Sequence, residues 1–308
     1  MAGPLHGLIP AAHTPFGPDG RLNLDAVAGQ AQLFREMGIE HVFIGGTTGE
    51  FSSLTLDERF ALAERWGEVA GGLIGVAVHV GDNAVSNAVA LARHAKASGA
   101  TSIALTAPSY FKPTAIADLI DFCEPVAAAA DPLAFYFYDI PAMTGVRVKT
   151  SEFLSQARRR IPTLRGLKFS NYDFLELQDC IRVDGGAFDV FFGSDECLLA
   201  GLSLGIRGAV GSTYNFASPV YRKLITAFEN RDFEAARALQ YKSIDLIKTL
   251  AEYGFVAASK CVMAMLGVDC GPVRTPLRPL TAAQQVEIWE RISPLDIFPR
   301  PLRRPAST

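Results

Sequence analysis

Short runs of β-branched and aromatic residues alternate with longer amphipathic segments along most of the chain. This alternation is the pattern of βα units, whose strands form a parallel sheet covered by helices. Eight such runs predict strands, near residues 7–11, 41–45, 74–80, 102–106, 133–138, 166–169, 190–193 and 208–211. Between them, apolar residues recur at helical spacing, for example over residues 24–37, 56–69, 83–97 and 115–129. The pattern therefore predicts an α/β fold.

Eight strands within 211 residues favour a (β/α)8 barrel, the TIM-barrel architecture, which usually takes about 250 residues. A doubly wound open sheet is the alternative, because the sequence does not show whether the first strand closes against the eighth. We expect the barrel over residues 1–231, a C-terminal helical extension over residues 232–296 and a loose tail over residues 297–308. Thr55 and Glu58 have the spacing of a capping box, which predicts that a helix begins there.

Composition and charge narrow the class of protein. The chain of 308 residues is 49% hydrophobic and 20% charged, which is typical of a globular protein. Its net charge of −3 offers no broad attraction to nucleic acid or anionic lipid, whereas a small anionic substrate is compatible. The start, MAGPLHGLIPAAHTPF, predicts no secretory signal, so we expect a cytoplasmic location. The cysteines form no CxxC pair and are expected to be reduced; they are Cys123, Cys180, Cys197, Cys261 and Cys270.

Lys168 lies in an apolar, strand-like stretch, LRGLKFS. Burying a charged amine costs free energy unless the amine has a compensating role. Burial favours the neutral form of lysines in general, and a neutral amine can attack a ketone to form an imine, which serves as an electron sink. The alternative is a lysine at a strand end whose ammonium group reaches solvent, which is the usual case. The segment alone leaves both interpretations open.

The motif GGTTGE, at residues 45–50, follows the second predicted strand and precedes a helix. In a barrel it would lie at the C-terminal face of the strands. Glycines let the backbone turn closely around a ligand, and Thr47 and Thr48 supply hydroxyls and amides suited to a carboxylate. The motif matches neither GxGxxG nor GxxxxGKS/T, which disfavours dinucleotide and P-loop sites. A simple strand-to-helix turn is the alternative.

Tyrosine and histidine side chains supply further candidates. Strand alternation in LAFYFYDIP places Tyr136 and Tyr138 on one face, where a hydroxyl at the barrel mouth can relay a proton, although packing is the more common role. His79, within LIGVAVHV, is interpreted as a structural histidine. Tyr110, in TAPSYFKP, is expected either to cover the site or to anchor a subunit contact. The sequence has no nucleophile elbow and no zinc or calcium signature, which leaves metal-free imine chemistry.

Two further strand ends carry small or acidic residues. FFGSDE ends a strand at Gly193 and places Asp195 and Glu196 in the next loop or helix start. Their carboxylates can accept hydrogen bonds from substrate hydroxyls, and helix capping is the alternative. GAVGST brings Ser212 to the end of the eighth predicted strand, where a tight turn explains the residues almost as well.

Four motifs in order, GGTTGE, YDIP, GLKFS and FGSDE, resemble those of the N-acetylneuraminate lyase and dihydrodipicolinate synthase superfamily. The resemblance runs from Leu5 to about Ile292 and implies a (β/α)8 barrel. It implies that Lys168 forms the imine with the 2-oxo carbon of a substrate, without a metal or organic cofactor. It further implies that Tyr138 transfers the proton.

The resemblance also assigns the groups that bind the substrate. Thr47 and Thr48 would hold its carboxylate. The Ser170 hydroxyl would contact the substrate at a position where some lyases carry threonine. Residues of FGSDE and GAVGST would bind a hydroxyl-rich tail; they are Gly193, Asp195, Glu196 and Ser212. Tyr110 resembles an aromatic residue at the subunit boundary, and members of the superfamily are usually homotetramers.

Within the superfamily the chain resembles the lyase branch. Met143, in YDIPAMTG, stands where dihydrodipicolinate synthases are expected to have an arginine for a second carboxylate. Asp139 stands where asparagine is commoner, and we assign it no role. The resemblance thus implies reversible cleavage of N-acetylneuraminate, a sialic acid, to N-acetylmannosamine and pyruvate. The alternatives are another pyruvate-dependent aldolase, such as one acting on 2-keto-3-deoxygluconate, a dihydrodipicolinate synthase, or a noncatalytic barrel that binds a sugar acid.

Overall fold

The computed structural model describes residues 7–306. Eight strands form one parallel sheet: β1 (Gly7–Pro10), β2 (His41–Ile44), β3 (Gly75–His79), β4 (Ser102–Thr106), β5 (Ala134–Asp139), β6 (Leu164–Phe169), β7 (Asp189–Phe192) and β8 (Gly208–Gly211). The strand order is β1-β8-β7-β6-β5-β4-β3-β2.

Closure of the sheet depends on the residues just beyond β1. Ala11 forms a parallel bridge with Phe43, and the amide of Ala12 donates to the carbonyl of Phe43 at 2.8 Å. Because β1 also pairs with β8, the sheet closes into a (β/α)8 barrel. The predicted barrel is confirmed, and the open doubly wound sheet is wrong.

Helices follow the strands and cover the barrel: α1 (Asp25–Glu36), α2 (Leu56–Ala70), α3 (Val85–Ala97), α4 (Ile116–Ala129), α5 (Pro141–Thr144), α6 (Thr150–Ala157), α7 (Phe174–Arg182), α8 (Leu198–Ser203) and α9 (Tyr214–Glu229). The predicted capping box is confirmed at the start of α2, where the Glu58 amide donates to Thr55 Oγ1 at 3.2 Å and the Thr55 amide donates to Glu58 Oε2 at 3.0 Å.

Buried residues form two layers because neighbouring side chains on a strand point to opposite faces. A large outer layer fills the space between the strands and the helices, for example where the Phe137 and Phe153 rings lie 4.7 Å apart. A smaller inner layer includes Phe43, Tyr136 and Tyr138, so the predicted common face of the two tyrosines is confirmed. The inner layer forms the floor on which the site is built.

Three more helices form the predicted C-terminal extension: α10 (Phe233–Glu252), α11 (Phe255–Met265) and α12 (Ala282–Ile292). Asp232 caps α10 by accepting a hydrogen bond from the Ala235 amide at 3.0 Å. The division of the chain at residues 231 and 232 stays a prediction. Over residues 7–306, no helix is both long and apolar enough to cross a membrane.

In the described part of the segment that was expected to be a loose tail, one side chain is buried and two backbone groups are hydrogen-bonded to the C-terminal helices. Ile297 is 3% exposed, the Trp289 indole donates to the Leu302 carbonyl at 3.2 Å, and the Arg303 amide donates to the Met265 carbonyl at 2.9 Å. Two backbone groups bind α11 and α12 here, which the abundance of proline and arginine in this segment did not reveal. The start of the chain, residues 1–6, and residues 307 and 308 lie outside the described part.

Candidate active site

Lys168 lies near the C-terminal end of β6, which is buried on both faces as expected of a parallel strand. The residue is only 7% exposed. Its Nζ lies 3.9 Å from the centroid of the Tyr138 ring and 4.9 Å from that of Phe43. An amine on two aromatic faces is stabilised by cation–π attraction when charged. The interpretation of Lys168 as a strand-end lysine with its ammonium group in solvent is therefore wrong.

The loop after β2 reaches across the barrel mouth to Tyr138. Thr47 Oγ1 lies 3.3 Å from Tyr138 Oη. The loop needs its glycines: Gly45 has φ +63°, and a Cβ on Gly46 would lie 2.4 Å from Cε1 of Phe43. The tight turn that competed with an anion site is thus present, and it aims a threonine hydroxyl at the tyrosine beside the buried amine.

Thr48 joins the same loop to the end of β8. Its Oγ1 lies 2.6 Å from Ser212 Oγ. Residues from β2, β5, β6 and β8 therefore meet at one end of the barrel, where the C-terminal ends of parallel strands converge. The structure brings together Lys168, Tyr138, Thr47, Thr48 and Ser212.

Ser170 and Gly193 lie side by side next to this group. The Ser170 amide donates to the Asp139 carbonyl at 2.8 Å, and the Gly193 amide donates to the Phe169 carbonyl at 2.8 Å. A Cβ on Gly193 would lie 2.0 Å from Ser170 Oγ. Glycine is therefore required here by a neighbouring side chain, which a sequence motif does not reveal.

Asp195 is 5% exposed and binds the loop after β8. Its Oδ2 accepts hydrogen bonds from the amide and the hydroxyl of Thr213, at 2.8 and 2.6 Å. Burial raises the pKa of Asp195 to about 6, and the two bonds from Thr213 oppose that rise. Sequence reasoning missed Thr213, although it directly follows Ser212 in the GAVGST motif. Through this partner the Asp195 carboxylate also joins two loops, a contact that the sequence did not predict.

Glu196, next to Asp195 in the chain, binds a tyrosine and not Thr213. Its Oε1 accepts a hydrogen bond from Tyr172 Oη at 2.6 Å. The pKa of Tyr172 is raised to about 12, by burial first and then by the Glu196 carboxylate. Tyr172 is 60% exposed and follows Ser170 by two positions, so it borders the same mouth. No pattern in the sequence indicated that these two side chains meet.

Tyr110 is 79% exposed, and its ring lies 5.0 Å from that of Phe111 in an edge-to-face arrangement. Its amide donates to Asn83 Oδ1 at 3.2 Å. Within residues 7–306, these contacts join Tyr110 to the rim of the barrel and not to Lys168. It is the one predicted site residue, among those described, that the single chain leaves at the surface.

His79 has both ring nitrogens in contact with protein. Nδ1 donates to the Gly45 carbonyl at 2.8 Å, and Nε2 lies 3.3 Å from Thr106 Oγ1. Burial holds the pKa of His79 well below its usual value, with smaller contributions from the charges of Arg59 and Lys168. The ring is therefore neutral, and it supports the loop after β2.

Asp139 follows Tyr138 and is 6% exposed. Its Oδ2 accepts a hydrogen bond from Asn171 Nδ2 at 3.2 Å. Burial raises the pKa of Asp139 to about 6, and the bond from Asn171 opposes that rise. The carboxyl group packs beside the candidate site without joining the contacts of Lys168.

A cavity of about 270 Å³ opens beside Thr47. Asn83, Ile140 and Met143 contribute to its lining, and Met143 is 65% exposed. The described residues contain no group of three histidine, cysteine, aspartate or glutamate side chains arranged to hold a metal ion. The arrangement thus offers a buried amine, a neighbouring phenol and a loop of small and hydroxyl-bearing residues next to an open cavity.

The fold and these residues define a (β/α)8 barrel whose mouth holds an enclosed lysine, a class of site suited to imine formation with a carbonyl compound. A family model described as "Dihydrodipicolinate synthetase family" matches residues 4–294. The chain belongs to this family.

Several similar proteins are named N-acetylneuraminate lyase. The N-acetylneuraminate lyase of Gallus gallus is 42% identical over 89% of this chain and 90% of its own length. The solved N-acetylneuraminate lyase of Proteus mirabilis is 38% identical, with a TM-score of 0.94 over 96% of this chain and 100% of that one. A Ruminococcus gnavus sialic acid aldolase, solved as a catalytic lysine mutant, is 27% identical, with a TM-score of 0.89 over 94% and 95% of the two chains.

Proposed function

We propose that this protein is a class I aldolase that cleaves N-acetylneuraminate reversibly to N-acetylmannosamine and pyruvate. The observation that carries the proposal is the buried Lys168 amine, 3.9 Å from the centre of the Tyr138 ring at the barrel mouth. The names of the relatives in Gallus gallus and Proteus mirabilis support the choice of substrate. The lysine mutant from Ruminococcus gnavus supports lysine-based chemistry.

The reaction follows from an imine on Lys168. The amine adds to the C2 ketone of the open-chain sugar acid, and loss of water gives a protonated imine. Tyr138 accepts the proton of the C4 hydroxyl and passes its own hydroxyl proton to the substrate carboxylate while the C3–C4 bond breaks, and the bonding electron pair moves into the imine to form an enamine. Protonation of C3 and hydrolysis of the imine then release pyruvate. The protonated imine is the electron sink, so this chemistry requires no metal or organic cofactor.

Thr47 and Thr48 hold the substrate carboxylate in this proposal. The 3.3 Å between the hydroxyls of Thr47 and Tyr138 supports it, because a carboxylate beside Thr47 would also be near the proton-transfer group. Other hydroxyl, amide and carboxylate groups around the mouth contact the sugar; they are those of Ser170, Gly193, Glu196 and Ser212. Asp195 already accepts two bonds from Thr213, so we assign it mainly to shaping this pocket.

We further propose a cytoplasmic homotetramer in which Tyr110 lies at a subunit contact near the site. The edge-to-face pair of Tyr110 and Phe111, 79% and 85% exposed, supports a contact that covers it. Sedimentation equilibrium of the wild type and of a Tyr110→Ser, Phe111→Ser variant tests this idea. We expect a tetramer that the double substitution weakens. A monomeric wild type would refute it.

Borohydride trapping tests the proposed chemistry. The protein is incubated with pyruvate and sodium borohydride, and its peptides are examined by mass spectrometry. We expect a reduced pyruvate adduct on Lys168, none on a Lys168→Ala variant, and an unchanged adduct on Lys168 in a control with an exposed residue substituted, Lys223→Ala. A wild type without label on Lys168 would show that the barrel is not an imine-forming aldolase.

Substrate comparison tests the sugar acid. Met143, at the cavity beside Thr47, has no charge to pair with a second substrate carboxylate, which disfavours a dihydrodipicolinate synthase. We expect pyruvate release from N-acetylneuraminate and little from 2-keto-3-deoxygluconate. The reverse preference would leave the imine chemistry in place and overturn the substrate.

A further inference from the structure

A buried ion pair joins the C-terminal extension to the GGTTGE loop. Lys260, on α11, places Nζ 2.6 Å from Oε1 of Glu50, the last residue of the motif. The two side chains are 2% and 1% exposed. Neither takes part in the proposed imine chemistry. Because burying two charges costs free energy that their attraction often only offsets, such a pair calls for a reason beyond stability.

Besides Glu50, the Lys260 ammonium group contacts a backbone carbonyl and an aromatic ring. Nζ donates to the Pro272 carbonyl at 2.9 Å and lies 4.2 Å from the centre of the Phe16 ring. Arg274 supports the same carboxylate, because its amide donates to Glu50 Oε2 at 3.0 Å. Each Glu50 oxygen is therefore held by a group from α11 or from the segment that follows it.

The backbone of Glu50 is in an unusual conformation. Its φ is +53°, in the left-handed region that residues with a Cβ rarely adopt. The two contacts of its carboxylate fix this conformation from outside the loop. Strained residues persist where surrounding structure holds them, and they occur often at ligand sites.

Glu50 in turn determines the path of the threonine loop. Its amide donates to the Thr47 carbonyl at 3.0 Å, which closes the turn that contains Thr47 and Thr48. Thr14 Oγ1 donates to the Gly49 carbonyl at 2.6 Å from the opposite side. Release of the Glu50 carboxylate would leave the turn with fewer restraints next to Tyr138.

We propose that Lys260 is a positioning residue: through its ion pair with Glu50 it holds Thr47 and Thr48 in the geometry that binds the carboxylate of the 2-oxo acid. The C-terminal extension thereby completes a site whose other residues come from the barrel. This inference rests on the proposed function, which assigns the carboxylate to these two threonines.

Substitution of Lys260 by Met tests the inference, because methionine keeps most of the side-chain volume and removes the charge. We expect about a tenfold or greater rise in KM for N-acetylneuraminate and in the pyruvate concentration that half-saturates borohydride trapping, the size of losing a charge-assisted contact. Turnover at saturation should change much less, because Lys168 and Tyr138 stay in place. Lys260→Arg, which keeps the charge, should restore part of the lost affinity.

Two further variants separate positioning from simple loss of stability. Met263→Ala removes buried volume from the same helix, because Met263 is fully buried in the core, and it keeps both partners of the ion pair. It should lower the melting temperature and leave KM near the wild-type value. If Lys260→Met does not fold, the Lys260→Met, Glu50→Gln pair leaves no unpaired charge and is the variant to measure. Its KM should be raised in the same way.

The outcomes distinguish the two levels of the proposal. If wild-type Lys168 is not labelled by pyruvate and borohydride, the proposed function fails. If wild-type labelling succeeds and a folded variant without the ion pair keeps KM and half-saturation within twofold of wild type, only the positioning role of Lys260 is refuted. An equal rise in KM for Met263→Ala at the same loss of melting temperature would refute it as well.

Discussion

Replacing Asp139 by Asn should change how the stability of the protein depends on pH. Burial raises the pKa of Asp139 from 3.8 to about 6 in the folded protein. The unfolded chain therefore loses this proton near pH 4, whereas the folded protein keeps it until about pH 6. The unfolding free energy must fall as the pH rises between these two values and stay level above them. The amide of the variant has no such proton to lose, so this contribution disappears.

The shift sets the size of the effect. Roughly two pKa units at about 1.4 kcal/mol each give an upper value of about 3 kcal/mol. Asp139→Asn should gain about this much stability relative to wild type between pH 4 and pH 8. Urea unfolding at a fixed protein concentration, repeated at unit steps of pH, measures the difference. The exposed Asp245→Asn serves as the control and should show little change across the range. A wild-type minus variant difference that is constant with pH would refute the reasoning.

Two other substitutions test single contacts. Thr213→Val removes a hydroxyl bound to the buried Asp195 carboxylate and should lower the unfolding free energy by about 1–3 kcal/mol in urea melts, whereas a neutral result would mean that this bond does not hold the two loops. Tyr138→Phe should lower kcat by about 10²-fold or more with little change in KM, since proton transfer and not binding is removed; a change confined to KM would take away its assigned role.

Much of the fold was predictable because it depends on local patterns. Alternating strand and helix signals indicated the eight βα units, and the spacing of Thr55 and Glu58 correctly predicted the start of α2. Closure was a weaker prediction, because it depends on a bridge between Ala11 and Phe43, two residues far apart in the chain. The contacts of Leu302 and Arg303 with α12 and α11 could not be predicted, because they leave no periodic signal in the sequence.

Some residues of the candidate site were also predictable from the sequence, and others were not. Strand-end motifs identified Lys168, Tyr138 and the threonine loop, because in a parallel barrel all such ends meet at one face. The same reasoning found neither the Thr213 partner of Asp195 nor the Tyr172 partner of Glu196. Those pairs join different loops, and their meeting depends on how far each loop extends from its strand.

The sequence by itself determined the βα repeat and the face at which the chemistry-bearing residues collect, since both follow from side-chain periodicity and strand direction. Only the tertiary structure decided which of these groups touch. The ion pair of Glu50 with Lys260 joins two distant parts of the chain, and the enclosure of Lys168 by Phe43 and Tyr138 requires side chains of three strands, one of them not a neighbour of the other two in the sheet, to meet inside the barrel. Such contacts arise from barrel closure and helix packing, which fix distances that local sequence patterns do not encode.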